Sequence, residues 1–251
     1  MNAAALKLRN APIVEAVLDI DCDTPTDFDL ASIEETTYER LRDRYPKRRK
    51  RYSSAFEIEM KPEASSQLSP HHTVQAFQFL HDDEKQLVQV RSDGFSFNRL
   101  APYESLDVYL PEIERTWRAY VEIAAPVETR VLRLRYINRI LLPMEGDRVE
   151  LDEYFKIGPR LADEEAMDLT GFFIRHAAVE KNTGYQINLV LTAQDPDGDK
   201  LPVILDISVA NPLREEPGNW ESIQKSVASL RTLKNRIFQN TLTEKCLQLF
   251  R

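Results

Sequence analysis

Glycine is scarce in this chain, with seven in 251 residues, so folds that depend on glycine-rich phosphate loops, dinucleotide-binding ones above all, are disfavoured from the outset. Cysteine is scarcer still. Cys22 and Cys246 lie near opposite ends and form no pattern, so both read as reduced, buried thiols rather than a disulfide framework. The four histidines are His71, His72, His81 and His176. None stands with a cysteine or carboxylate at metal-ligand spacing, which leaves no reason to expect a metal or any other cofactor. Positive charge is in deficit, at a formal net charge of -8, and nucleic acid is therefore disfavoured as a partner. Apolar runs such as Ile140-Leu141-Leu142 are far too short to cross a bilayer, and the opening MNAAALKLRNAP lacks the apolar stretch of a secretory signal. The expectation is a cytoplasmic protein with no membrane contact. G-x-S-x-G, Walker A and H-E-x-x-H are all missing, and no residue is nominated as catalytic.

What is present is an ordinary globular composition, 42% hydrophobic and 29% charged. Residues 12–22 alternate apolar and acidic with period two, predicting a strand with one buried face. Asp27 is placed to cap a helix through Leu41, which Pro46 ends. Strands are predicted over 51–60, 73–80, 86–91 and 95–100, with a polar loop from Pro62 to Pro70. A helix from about Ser105 to Ala124 carries Leu106, Leu110, Ile113, Trp117, Tyr120 and Val121 at helical spacing. The order then repeats. A long strand is predicted over 129–142, a short helix over 150–156, and strands over 169–180, 184–193 and 201–210. Pro212 and Pro217 break the chain before a helix from Asn219 to Phe250. The hairpin signals KNTG and DPDGD separate the later strands.

This pattern predicts an α+β fold of two pseudo-repeated halves, 1–126 and 127–251, packed as one globular unit. Each half reads strand, helix, antiparallel strands, helix, with the sheets covered by helices on one face. Trp117 and Trp220 occupy corresponding apolar helix positions and are expected to pack on the sheet.

Arg133, Arg135 and Arg139 share one face of the 129–142 strand, opposite Leu132, Leu134, Tyr136 and Ile140. Glu15, Asp19 and Asp21 on the first strand, and Asp206 on the last, are expected on the same side. Ion pairing on a wet sheet face accounts for this pattern. A groove recognising a charged ligand or peptide accounts for it too, because guanidinium forks suit carboxylates and phosphates. Arg99 is the candidate addition from a neighbouring strand. The run Lys47-Arg48-Arg49-Lys50-Arg51 reads as a solvated helix-to-strand connection balanced by Glu34, Glu35, Glu39 and Asp43. Only Tyr52 follows it as an aromatic, which is poor equipment for stacking bases.

The stretches NAPIVEAVLDI, GFSFNRLAPYES, LRLRYINRI and LKNRIFQNTLTEKCLQLF together resemble, in the same order and over nearly the whole chain, a sporadically distributed, uncharacterised family of prokaryotic proteins of about this length. That resemblance implies no activity, cofactor or site residue. It implies a prokaryotic setting, and the patchy distribution suggests transferred gene neighbourhoods such as toxin–antitoxin or phage-defence loci. The favoured function is a non-catalytic binding or regulatory protein engaging a protein partner or itself. One alternative is a ligand-binding domain with a cavity between the sheet and the C-terminal helix, lined by Phe77, Phe79, Phe95, Phe97, Phe172 and Phe173. The other is a hydrolase using the carboxylates of the charged face.

Overall fold

The computed structural model describes residues 8–58, 68–146, 148–163 and 166–251; over 53–58 and 68–72 it describes the backbone. The chain forms β1 (Ile13–Asp23), α1 (Glu34–Leu41), β2 (Lys47–Ile58), β3 (Leu68–Leu80), β4 (Gln86–Arg91), β5 (Gly94–Leu100) and α2 (Leu106–Ala124). It continues with β6 (Glu128–Pro143), β7 (Phe173–Val179), β8 (Gln186–Ala193), β9 (Lys200–Glu215), α3 (Trp220–Thr241) and α4 (Glu244–Gln248). The fold is mixed α+β, as the sequence predicts. All the strands join one nine-stranded sheet in the order β2-β3-β4-β5-β1-β6-β9-β8-β7, and every neighbouring pair is antiparallel. The long central pair is β1 with β6, in register at Leu18↔Leu134. β5 returns to the outer side of β1, and β9 returns to the outer side of β6.

Period two decides the two faces. Leu18 and Ile20 of β1, Phe95 and Phe97 of β5, Leu132 and Leu134 of β6, and Leu205 and Ile207 of β9 are all buried on one side. Helices α2 and α3 cover that side. Ser105 starts α2 by accepting the Val108 N–H on its hydroxyl. The buried stripe Leu106, Tyr109, Ile113, Trp117 and Tyr120 then faces the sheet. Trp117 lies edge-on to Phe95 at 5.6 Å between ring centroids and donates its indole N–H to the Pro217 carbonyl at 3.0 Å. Both tryptophans are buried. Gly94 opens β5 at φ +150°, and a Cβ there would stand 2.2 Å from the Ile20 carbonyl oxygen. Only glycine admits so close an approach to β1.

Several boundaries differ from those read in the sequence, each for a local reason. Asp29, not Asp27, is the capping residue, and it begins a 3-10 turn over Leu30–Ile33 that leads into α1. The basic run Lys47–Arg51 lies inside β2 rather than in a connection. Its charges pair with Glu84, Glu35 and Glu34 rather than with Glu39 or Asp43. The expected loop 62–70 lies partly outside the described residues, and Leu68–Pro70 already belong to β3. The short helix at 150–156 is a single 3-10 turn, Leu151–Glu153. Pro212 does not break the chain but lies within β9, opposite Val131, where the pairing to β6 shifts register. β8 pairs no further along β9 than Ala210, so a residue without an N–H is tolerated just past it. The expected 219–250 helix is interrupted at Leu242, and Thr243 caps α4 by accepting the Cys246 N–H.

Candidate functional site

The uncovered face of the sheet carries a connected polar layer. Across the first strands, Gln78 donates to Gln89 at 2.9 Å, Gln89 to Asn98 at 2.9 Å, and Asn98 to the Glu15 carboxylate at 2.7 Å. Arg91 bridges Asp21 at 2.6 Å and Asp19 at 3.3 Å, and the Ser96 hydroxyl also donates to Asp19 at 2.5 Å. Gln89, Ser96 and Asn98 are buried, each bonded side chain to side chain with a neighbouring strand. Such a network is stable only when each member is satisfied, and here each amide meets a complementary group.

The arginines expected on one face of β6 are there. Arg135 grips Asp206 with Nε and Nη2 at 2.6–3.0 Å. This pairing raises the guanidinium pKa above its ordinary value, the bond to Asp206 being the main cause. Asp206 is only 8% exposed, so that fork supplies the donors that water gives an exposed carboxylate. Arg139 reaches Gln194 and Asp197, both at 3.1 Å. Arg133 is held more loosely, 3.5 Å from Asp21 and 3.9 Å from Asp19. Arg99 does not join them. Its position shares the parity of Phe95 and Phe97, so it points to the helix side, with its guanidinium 5.4 Å from the Tyr109 ring centroid and 3.5 Å from Asp83. β1 also stands between β5 and β6.

Towards β7 the polar layer opens into a groove of about 400 Å³. Arg133 and Arg175 flank it, Asn188 and Gln186 supply amides, and Ala177, Ser208 and Ala210 keep its floor low. Arg175 donates to the Asn188 side-chain oxygen at 2.7 Å, and among the described residues no carboxylate pairs with it. Arg175 lies on a separate, later strand, so its approach to Arg133 depends on the β6-β9-β8-β7 order, which period two within β6 does not carry.

The helix side of the sheet is apolar and aromatic. A void lined by Phe97, Arg99, Tyr103, Tyr109, Tyr136 and neighbouring apolar side chains measures about 10 Å³. Phe77, Phe79, Phe95 and Phe97 are core residues, while Phe173 is 68% exposed. Buried in the same layer, Lys234 of α3 sets its ammonium 3.9 Å from the Tyr136 ring centroid. Burial lowers its pKa from 10.5 to about 8, with Arg231 adding to the effect. The Tyr136 and Tyr103 hydroxyls share a 2.8 Å hydrogen bond. Both cysteine thiols are buried, and desolvation pushes each up to about 12, well away from the thiolate form a nucleophile needs.

Among the described residues no cluster of histidine, cysteine and carboxylate side chains could hold a metal ion, and no helix is long and apolar enough to cross a membrane. No protein-family model matches the chain, and no curated protein matches it.

Proposed function

We propose that this protein is a non-catalytic binding or regulatory protein that takes a carboxylate-bearing segment of a protein partner onto its open sheet face. The observation that carries the reading is the groove between Arg133 and Arg175. Arg135 and Arg139 are paired tightly with Asp206 and Asp197, whereas Arg175 has an amide as its partner and Arg133 is held more loosely, by Asp21 at 3.5 Å and Asp19 at 3.9 Å. Two guanidinium groups without a tight carboxylate partner, beside small side chains, suit an acidic strand or loop laid across the floor. The same commitments argue against a hydrolase, since Asp19, Asp21 and Asp206 already accept from arginines and Glu15 from Asn98.

The resemblance to sporadically distributed prokaryotic proteins supports a prokaryotic, cytoplasmic setting, and a transferred defence-type locus is the matching biological context. An internal duplication is part of the proposal. It is supported by the β1–β6 pairing at the centre and by the way β5 and β9 each return to the first strand of their own half before α2 and α3.

The test is the affinity of a short oligoglutamate peptide, read by fluorescence anisotropy. The Arg133→Ala/Arg175→Ala double variant should bind about tenfold or more weakly with its thermal melt unchanged. The Arg139→Ala variant should bind as the unaltered protein does. Equal binding by the double variant would remove the groove from consideration.

A further inference from the structure

The sheet has two edges, and they are built differently. β2 forms one edge and carries Lys47, Arg48, Arg49, Lys50 and Arg51 in succession. Consecutive charges on an edge strand oppose pairing with another chain. β7 forms the other edge with the sequence FIRHAAV. It has no proline, no lysine and no acidic residue, and Phe173 and Val179 at its ends are 68% and 62% exposed. Among the described residues nothing pairs with its outer side.

Hydrogen-bond alternation fixes which backbone groups face outward. The Glu180 N–H donates to the Tyr185 carbonyl in the hairpin to β8. In the register Ala178↔Ile187, His176↔Leu189 and Ile174↔Leu191, the even-numbered residues therefore bond to β8. Phe173, Arg175, Ala177 and Val179 turn their N–H and C=O groups to the free edge.

We propose that β7 pairs antiparallel with β7 of a second copy of this chain, about a twofold axis through His176, to make one continuous sheet across a homodimer. In that register Phe173 faces Val179 of the second copy, Arg175 faces Ala177, and all seven residues of β7 are used. The two exposed apolar side chains then become cross-strand partners. Sliding the pairing one step towards Phe173 would set Arg175 against Arg175, and one step the other way would strip Phe173 of its apolar partner. Arg175 is also bonded inward to Asn188, so its charge leans away from the junction. The inference goes beyond the groove reading, although Arg175 and Ala177 belong to both surfaces. Oligomeric mass tests one and peptide affinity the other.

His176 meets its own copy on the axis as a non-hydrogen-bonded pair, with Cα atoms about 4.5 Å apart, inside the range a disulfide spans. His176→Cys should give a covalent dimer under mild oxidation. Ala178→Cys, on the same face but roughly 13 Å from its counterpart at about 3.3 Å per residue, should not. The native thiols are buried and leave the background clean. Ala177→Pro removes an outward N–H and no bond to β8, and should yield a monomer by light scattering. Val179→Lys, at an exposed position, should raise the dimer dissociation constant about tenfold or more and serves if the proline variant fails to fold. A monomeric unaltered protein at micromolar concentration, equal cross-linking of both cysteine variants, or a Val179→Lys dimer of undiminished affinity would each overturn the proposal.

Discussion

Along β6, successive side chains meet two different environments. Leu132, Leu134 and Tyr136 are closed under α2 and α3, while Arg133, Arg135 and Arg139 lie on a face that no helix covers. The covered face is held by apolar burial and tight aromatic packing, with Trp117 between Phe95 and Tyr120. The open face is held by polar groups that satisfy one another strand by strand. Burial area therefore governs substitutions on the first face. On the second, the governing quantity is how deeply the partner left behind is buried.

The largest effect belongs to the covered face. Trp117 is 1% exposed, and its ring fills the space between Phe95, Tyr120 and the start of α3. Trp117→Ala should lower unfolding stability by about 3–5 kcal/mol in denaturant melts. A loss near that of a surface change would mean that α2 does not carry its weight in the core. Lys234 breaks the rule of its own face, being a cation among aromatics. Its folded pKa, about 8, is below the ordinary 10.5, so between those values the unfolded chain binds more protons and stability rises with pH. Each tenfold loss of proton affinity corresponds to roughly 1.4 kcal/mol, so keeping the amine charged in the core costs about 3 kcal/mol below pH 8. Lys234→Met should therefore stabilise the protein by about 2–3 kcal/mol at pH 7. The gap to the unaltered chain should close as pH approaches 10.5. Comparison with the variant is essential, because Cys22, Cys246 and Tyr136, each raised to about 12, withdraw stability as pH rises above their ordinary values. A gap that does not change with pH would show that the amine titrates normally.

The covered face is the more legible of the two in the sequence. Period two in 12–22 and 129–142, together with helical spacing from Leu106 to Val121, identifies core strands and the helix over them, because one side must exclude water. The face of Arg133, Arg135, Arg139 and Asp206 is legible for the same reason. Strand order is not, since antiparallel alternation reads the same whichever neighbours a strand has. Local pattern therefore does not mark Arg175, and it groups Arg99 with residues that β1 and its own parity separate from it. Pro212 misleads in a related way. Its meaning depends on whether its N–H side faces a partner, and only the end of β8 at Ala210 settles that. Lys234 carries no local signal, because a lysine within an amphipathic helix ordinarily reaches out to solvent.

Arg135 and Arg139 sharpen the comparison within the open face, where both smaller effects fall. They share a strand and a parity, each pairs with an aspartate, and the two aspartates differ in burial. Asp206 lies under the Arg135 fork at 8% exposure. Arg135→Ala would leave a buried carboxylate without its bidentate donor, at a cost of about 1–3 kcal/mol. The side chain of Asp197 is 66% exposed, and water replaces the guanidinium there without difficulty. Arg139→Ala should shift stability by less than about 0.5 kcal/mol, as exposed pairs do. Urea melts of the two variants side by side decide the matter. Equal losses would mean that the strand's twist or its cross-strand packing, rather than the burial of the carboxylate, sets the energetics of this face. The expected inequality would identify Arg135 as a structural clamp, distinct from Arg133 and Arg175, which line the proposed groove.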